Sequence, residues 1–215
     1  MKQVFDNISH EMSTLTTKRY STSFSLGIKM LHAEIQQPIY SVYGFVRFAD
    51  EIVDSFHGFD KEWLLEDFRK QTYQAIKDGI SLNPILNSFQ WVVNKYQIPL
   101  DLIETFLESM KMDLDKQAYD EDQYKKYILG SAEVVGLMCL KIFVDGNETE
   151  YLRLKPAAMK LGSAFQKINF LRDLNADYKH LGRVYFPGID MNEFNATVKH
   201  DIERDIEADF HAGYL

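Results

Sequence analysis

Two stretches of this chain are apolar around almost their whole circumference at helical periodicity, yet both carry ionisable groups. Over 38–56 the apolar residues are Ile39, Tyr40, Val42, Tyr43, Phe45, Val46, Phe48, Ala49, Ile52, Val53 and Phe56, with Arg47, Asp50, Glu51 and Asp54 set among them. Over 157–177, Ala157, Ala158, Met159, Leu161, Ala164, Phe165, Ile168, Phe170, Leu171 and Leu174 surround Gln166, Asn169, Arg172, Asp173 and Asp177. A helix apolar all round belongs in the middle of a protein. Ionised groups there are costly unless something compensates them. Such a chain keeps charge inside for a purpose.

The spacing says how that charge is arranged. Tyr43, Arg47, Asp50 and Asp54 recur at intervals of 4, 3 and 4 residues, and Gln166, Asn169, Asp173 and Asp177 at 3, 4 and 4. Each set lies on one helical stripe. Each helix thus presents an Asp-x-x-x-Asp pair from a single face, with an arginine, Arg47 or Arg172, beside it.

The remaining punctuation is also helical. Asp60 caps a helix over 61–78 that stops at Gly79. Asn83 and Pro84 open another over 84–96, and Pro99 opens one over 99–112. The stretch 120–144 has no breaker except Gly130 and Gly136 and closes on Asp145-Gly146; Pro156 then starts a helix persisting to 180. With 5 Pro and 11 Gly in 215 residues and no hairpin pattern, repeat or linker, the expected fold is all-α, a single domain over 1–215. Asp113, Asp115, Asp120, Glu121, Asp122 and the charge-rich 201–209 read as solvated surface.

Composition excludes several classes. Lys and Arg number 24 against 32 Asp and Glu, a net charge of −8, which argues against nucleic acid as a partner. The one cysteine, Cys139, lies in an apolar run, reads as a small core residue, and suits a reducing, cytoplasmic setting. The start of the chain carries Asp6 and Glu11 and no apolar signal segment. The best candidate for a membrane span is broken by Lys141 and Asp145.

Two carboxylates one helical turn apart repel each other unless a cation intervenes. Oxygen ligands without neighbouring His or Cys favour a hard ion, Mg²⁺ or Mn²⁺ in its place, and Mg²⁺ prefers a few carboxylates plus substrate phosphates to an all-protein cage. Arginine matches phosphate oxygens in a bidentate way. The pattern predicts a metal-bridged diphosphate site. Diphosphate is a leaving group, so the rest of such a site handles a carbocation, for which 15 Phe and 12 Tyr supply ring faces.

The motifs resemble those of the squalene/phytoene synthase family. The resemblance runs from Tyr20-Ser21-Thr22-Ser23-Phe24 through Tyr43-x-x-x-Arg47-x-x-Asp50-Glu51-x-x-Asp54 and the segment from Tyr127 to Gly136. It ends at Gln166-x-x-Asn169-x-x-Arg172-Asp173-x-x-x-Asp177 and Gly182-Arg183-Val184-Tyr185-Phe186-Pro187. It implies an isoprenoid synthase-type helical bundle with a central active-site cavity. It also implies a Mg²⁺-dependent, head-to-head condensation of two prenyl diphosphates through a cyclopropyl diphosphate, most similar to the bacterial phytoene synthases that use geranylgeranyl diphosphate in carotenoid synthesis. Carried over, Asp50, Asp54, Asp173 and Asp177 hold the metal with Asn169. Arg47, Arg172, Arg183 and Tyr43 meet diphosphate, and Ser21, Ser23, Phe24, Tyr127, Val134 and Gln166 line the prenyl pocket. From the residues alone, Ser21 reads equally as a helix cap and Tyr127 as a core tyrosine.

Three departures from the family pattern stand out. Thr22 replaces a lysine common there, so that phosphate contact is either missing or supplied by Lys18 or Arg19. Glu133 interrupts a stretch of small residues, either as a surface residue or as one that reshapes the pocket floor. The chain also stops about two helices before such a domain closes, so C-terminal helices are expected to be missing and apolar surface left open.

The alternatives are a squalene or dehydrosqualene synthase using farnesyl diphosphate, with NADPH only in the squalene case, and a non-catalytic helical assembly module. The retained aspartates disfavour the module. A di-iron bundle needs Glu-x-x-His on two helices and finds only Asp177-x-x-His180. Long prenyl tails make peripheral contact at the inner membrane surface an expectation; no strongly basic amphipathic helix supports tight binding. Oligomeric state is not legible.

Overall fold

A computed structural model describes the backbone of residues 1–115, 119–181 and 184–214, and the side chains of all of these except 115, 176, 177, 180 and 181. Among the described residues there are helices and turns but no strand, as the composition requires. The helices are α1 (Lys2–Tyr20), α2 (Thr22–Lys29), α3 (Ala33–Ser55), α4 (Lys61–Asp78), α5 (Pro84–Tyr96), α6 (Leu100–Asp115), α7 (Glu121–Ile128), α8 (Val134–Phe143), α9 (Glu148–Leu181) and α10 (Ala196–Tyr214), with a π-helical turn, Leu129–Glu133, between α7 and α8. The chain divides into two compact units, Met1–Leu100 with Lys141–Glu148, and Asp101–Leu140 with Thr149–Leu215.

In the first unit the expected caps are found. The Asp60 carboxylate accepts from Trp63 N, Gly79 ends α4 at φ 68°, and the Asn83 side chain accepts from Ile85 N and Leu86 N ahead of Pro84. α3 begins at Ala33, five residues before the apolar stretch over 38–56. Pro38 sits just beyond the first turn and removes a single backbone bond. Burial of Ile39, Tyr40, Val42 and Phe45 holds the helix through it. Phe45 is the centre of the core, stacked on Phe89 with ring centroids 3.9 Å apart and on Phe68 at 5.5 Å.

α1 packs on α3 and α5 with small hydroxyl residues, not large apolar ones. Ser9, Ser13, Thr16 and Thr17 are its buried face, and a Cβ at Gly44 would lie 3.1 Å from Ser13 Oγ. A polar ladder ties the three helices: Asn87 Nδ2 donates to Ser9 Oγ and Asp6 Oδ1, each at 3.1 Å. Ser41 Oγ and Ser88 Oγ are 2.6 Å apart, and Gln37 Nε2 donates to the His10 carbonyl at 3.1 Å. This close approach brings the C-terminal end of α1 beside the polar stripe of α3.

In the second unit, glycines set the helix spacing. A Cβ on Gly130 in the π turn would lie 2.4 Å from Ser109 Cβ and 2.7 Å from the Thr105 carbonyl of α6. One on Gly162 of α9 would lie 2.9 Å from the Ala132 carbonyl. The stretch expected as one unbroken helix over 120–144 is thus α7, a π turn and α8, its register changed where it passes two backbones. Its C-terminal end is as expected, with Asp145 and Gly146 at φ 49° and 73° and Gly146 N donating to the Lys141 carbonyl. α9 starts eight residues before Pro156, which lies inside it. Its apolar circumference is not closed: Phe165 and Ile168 are 54% and 41% exposed.

Two acidic residues expected on the surface are buried. Asp113, at the end of α6, is 6% exposed and accepts from Tyr119 Oη at 2.8 Å and Tyr127 Oη at 2.6 Å. Asp209 of α10 is 7% exposed and accepts from Lys160 Nζ (2.6 Å), Ser163 Oγ (2.7 Å) and Lys167 Nζ (2.7 Å) of α9. The Asp209 donors lie more than forty residues away, and those of Asp113 lie beyond the end of its own helix, so a local reading of acidic runs sees neither set. Cys139 is in apolar surroundings that push its thiol up to about 12, so it is inert packing, as expected.

Candidate active site

The polar stripe of α3 is assembled within the first unit. Ser21 ends α1 and caps α2, its Oγ accepting from Phe24 N at 3.1 Å and lying 3.4 Å from Ser23 Oγ. The same Ser21 side chain is hydrogen bonded to Tyr43, whose ring meets Phe24 with centroids 5.5 Å apart. Of the two sequence readings of Ser21, the helix cap is the one these contacts display. Burial raises the Tyr43 phenol above its usual value, so it stays protonated near neutrality.

One turn on, Arg47 contacts Glu51 through Nη2 and approaches Asp50 Oδ2 to 4.0 Å, beyond hydrogen-bond reach. The Tyr20 ring lies over the guanidinium at 4.3 Å. Burial opposes the charge on Arg47, but the hydrogen bond to Glu51 and the fields of Asp50, Glu51 and Asp54 outweigh it and raise its affinity for the proton. Asp50 and Asp54 are both partly buried, one turn apart on the same stripe. The expected set Ser21, Ser23, Phe24, Tyr43, Arg47, Asp50 and Asp54 is thus gathered at the α1–α2 junction and along α3. Thr22, Lys18 and Arg19 are all exposed there.

In the second unit the stripe of α9 is carried by Gln166, Asn169 and Asp173, all half-buried, while Arg172 is exposed. Arg172 is paired with its neighbour Asp173 in a two-bond fork, Nε–Oδ1 2.8 Å and Nη2–Oδ2 2.5 Å. The Asp177 side chain and Arg183 lie outside the described residues. Beneath the stripe, Phe170 and Leu174 join Tyr119, Tyr124, Tyr127, Ile128, Tyr185 and Phe186 in a buried aromatic cluster. Phe170 and Tyr185 stack at 4.1 Å. Tyr127 is buried in this cluster, and burial together with the Asp113 charge raises its phenol well above the ordinary range; Val134 is buried as well. Glu133 is neither a plain surface group nor deeply buried. Burial raises its carboxyl, and the charges of Lys160 and Lys167 pull it back.

Sequence reasoning passed over Tyr20, Glu51, Asp113 and Tyr119 as site-shaping residues. The four-residue step from Arg47 to Glu51 was a signal for that pair. Nothing local marks Asp113 or Tyr119.

The α3 donors are hard oxygens with an arginine beside them, a set that fits Mg²⁺ completed by phosphate and water. Among the described residues no three Asp, Glu, His or Cys side chains gather into a ready-made cage. No helix among them is long and apolar enough to cross a membrane.

The model of the squalene/phytoene synthase family matches residues 17–213. The 4,4'-diapophytoene synthase of Staphylococcus haemolyticus is 28% identical over 192 residues, covering 87% of this chain and 65% of the relative. The phytoene synthase of Arthrospira platensis is 26% identical over 199 residues, covering 88% and 64%. The chain thus spans slightly less than two thirds of the length of these relatives. In fold it resembles a dehydrosqualene synthase crystal structure, with a TM-score of 0.84 at 22% identity over 97% of this chain and 77% of that one. A squalene synthase from Alicyclobacillus acidocaldarius gives the same TM-score and identity over 98% and 83%. The family model spans nearly the whole chain and the described residues are helical throughout their regular structure, and the chain belongs to the squalene/phytoene synthase family.

Proposed function

We propose that this chain is a Mg²⁺-dependent prenyltransferase that joins two molecules of geranylgeranyl diphosphate head to head, through a cyclopropyl diphosphate, to give phytoene in carotenoid synthesis. The observation that carries the reading is the α3 stripe: an arginine flanked by carboxylates, beside a serine- and phenylalanine-bearing helix junction, in a member of this family. Residues 1–215 act as one synthase domain in this reading.

Asp50 and Asp54 of α3 would hold Mg²⁺, and so would Asn169, Asp173 and Asp177 of α9. The ion, Mg²⁺ or Mn²⁺, supplies charge neutralisation for the departing diphosphate. Arg47, Arg172, Arg183 and the protonated Tyr43 donate hydrogen bonds to diphosphate oxygens. Arg172 exchanges its pairing with Asp173 for phosphate, which returns that carboxylate to metal binding. Ser21, Ser23, Phe24, Tyr127, Val134 and Gln166 line the prenyl chain and exclude water from the allylic cation. The phenol proton of Tyr127 is committed to Asp113, so this residue contributes its ring and its position, not an acid.

A second reading is supported by the Staphylococcus haemolyticus relative: condensation of two farnesyl diphosphates to dehydrosqualene, or to squalene with NADPH. Product analysis separates the readings. The protein is incubated with Mg²⁺ and either substrate, with and without NADPH, and the hydrocarbon is extracted. Phytoene from the longer substrate, indifferent to NADPH, is the expected result. A thirty-carbon product from the shorter substrate replaces it with the second reading, and no product from folded protein leaves a non-catalytic helical module. The reading also places the protein in the cytoplasm, with peripheral contact at the inner membrane surface. Higher activity with liposomes than with detergent micelles is expected, and equal activity removes that contact.

A further inference from the structure

Glu51, in the middle of the α3 stripe, is used by no step proposed above, yet it is the hub of the polar contacts there. Its carboxylate accepts from Arg47 Nη2, and the Tyr20 and Ser55 hydroxyls lie near enough to favour its charged form.

The Tyr20 ring that stacks on the Arg47 guanidinium belongs to the residue whose hydroxyl reaches Glu51. One guanidinium is therefore gripped on its edge by Glu51 and on its face by Tyr20, and the two grips are joined to each other. The edge contact fixes rotation in the plane; the stack fixes the tilt of the plane. The inner nitrogen, Arg47 Nε, is buried without a hydrogen-bond partner, so the grip does not come from that side.

Without Glu51 the nearest competing acceptor for Arg47 is Asp50, held off at 4.0 Å, with Asp54 also in its field. A direct Arg47–Asp50 pair would occupy at once a carboxylate wanted by the metal and donors wanted by phosphate. We propose that Glu51, together with Tyr20, is a positioning residue that holds Arg47 off Asp50 and Asp54, so that its remaining donors face the diphosphate of the substrate. The inference rests on the reading of Arg47 as a diphosphate contact and adds the residue that orients it.

The test is a double-mutant cycle read by calorimetric binding of inorganic pyrophosphate, with and without Mg²⁺, which needs no turnover. Preorganisation of one charged side chain predicts that Glu51→Ala weakens pyrophosphate binding about tenfold in the wild-type background and less than about twofold in an Arg47→Ala background. Tyr20→Phe, which keeps the ring and deletes the hydroxyl, is expected to cost about threefold alone and nothing further in Glu51→Ala. It serves if Glu51→Ala lacks the wild-type far-ultraviolet circular dichroism spectrum.

Equal losses in both backgrounds overturn the proposal, because Glu51 then acts independently of Arg47, as a metal ligand or a structural group. No loss in either background overturns it too. An Arg47→Ala protein that binds pyrophosphate as tightly as wild type removes Arg47 from the diphosphate site and takes the positioning role with it. A wild-type protein that binds no pyrophosphate under either condition, with Mg²⁺ or without, fails at the level of the proposed function and removes the proposal with it.

Discussion

Aspartates of this chain that look alike in sequence carry opposite consequences. Asp50 is partly buried on α3 between carboxylates and the Arg47 guanidinium 4.0 Å away, so its charge meets both signs, whereas Asp113 is enclosed and accepts from two phenols. Asp50→Asn exchanges relief of like-charge repulsion for the loss of that attraction and is expected to leave the unfolding midpoint little changed, while lowering turnover at least about 100-fold through lost diphosphate stabilisation. Asp113→Asn puts an amide N–H against a phenol O–H, leaving a buried donor unsatisfied at a cost of about 1–3 kcal/mol. Urea denaturation and turnover, measured on both proteins, separate the roles; a destabilised Asp50→Asn with normal turnover contradicts the assignment. The Asp50 class was legible because helical spacing placed it beside Arg47 and Asp54. Asp113 was not, because its partners Tyr119 and Tyr127 are brought to it by tertiary packing.

Among the elements, helices were legible wherever a cap or a stop was written locally, as at Asp60, Gly79, Asn83 and Gly146. They were misread where a proline looked like a start, at Pro156, since burial of the surrounding turns overrides one missing hydrogen bond. The π turn was not legible, because what imposes it is the approach of α6 and α9 to Gly130 and the Ala132 carbonyl. α10 was read as charged surface, and its docking depends on Asp209. That carboxylate meets Lys160, Ser163 and Lys167, which share one face of α9, while Lys167 also pairs with Asp205 at 2.5 Å. Asp209→Ala leaves the nearly buried Lys167 ammonium with the exposed Asp205 carboxylate alone and takes the acceptor from Lys160 and Ser163, and is expected to destabilise the protein by about 1–3 kcal/mol. Adding Lys167→Met to that variant removes the under-compensated charge and should recover part of the loss. Chemical denaturation of the single and double variants checks both. A double variant no more stable than Asp209→Ala would mean that α10 is held by other contacts.

For the whole molecule, the response to acid follows from groups whose titration is changed by folding. The chain carries −8 at neutral pH and is neutral near pH 5.3, so acidification over that interval reduces self-repulsion and by itself stabilises. His10 opposes this. It is half-buried at the α1–α5 contact, with Nδ1 3.0 Å from Ser88 Oγ and its ring 4.6 Å from Trp91. Burial lowers its pKa below the ordinary 6.5, with the Asp6 charge pulling the other way. Between that lowered value and 6.5 the unfolded chain binds the extra proton and the folded protein does not, so stability falls as pH drops through this window. Asp6, Glu51 and Asp209 are also lowered by folding, from 3.8, 4.5 and 3.8, and their contributions are lost only below those values. Glu133 is raised above 4.5 by burial, so its sign is reversed: it favours the fold below 4.5 and ceases to as pH rises through its folded value. The acid limb therefore has an upper stage owed to His10 and a lower one owed to the carboxylates. Thermal melts from pH 7.5 to pH 5 are expected to show a falling midpoint for wild type and a rising one for His10→Gln, which keeps a hydrogen-bonding group toward Ser88 but cannot take up the proton, so that only the relief of self-repulsion remains. Parallel declines in the two proteins would assign the upper stage to a different group and remove His10 from it.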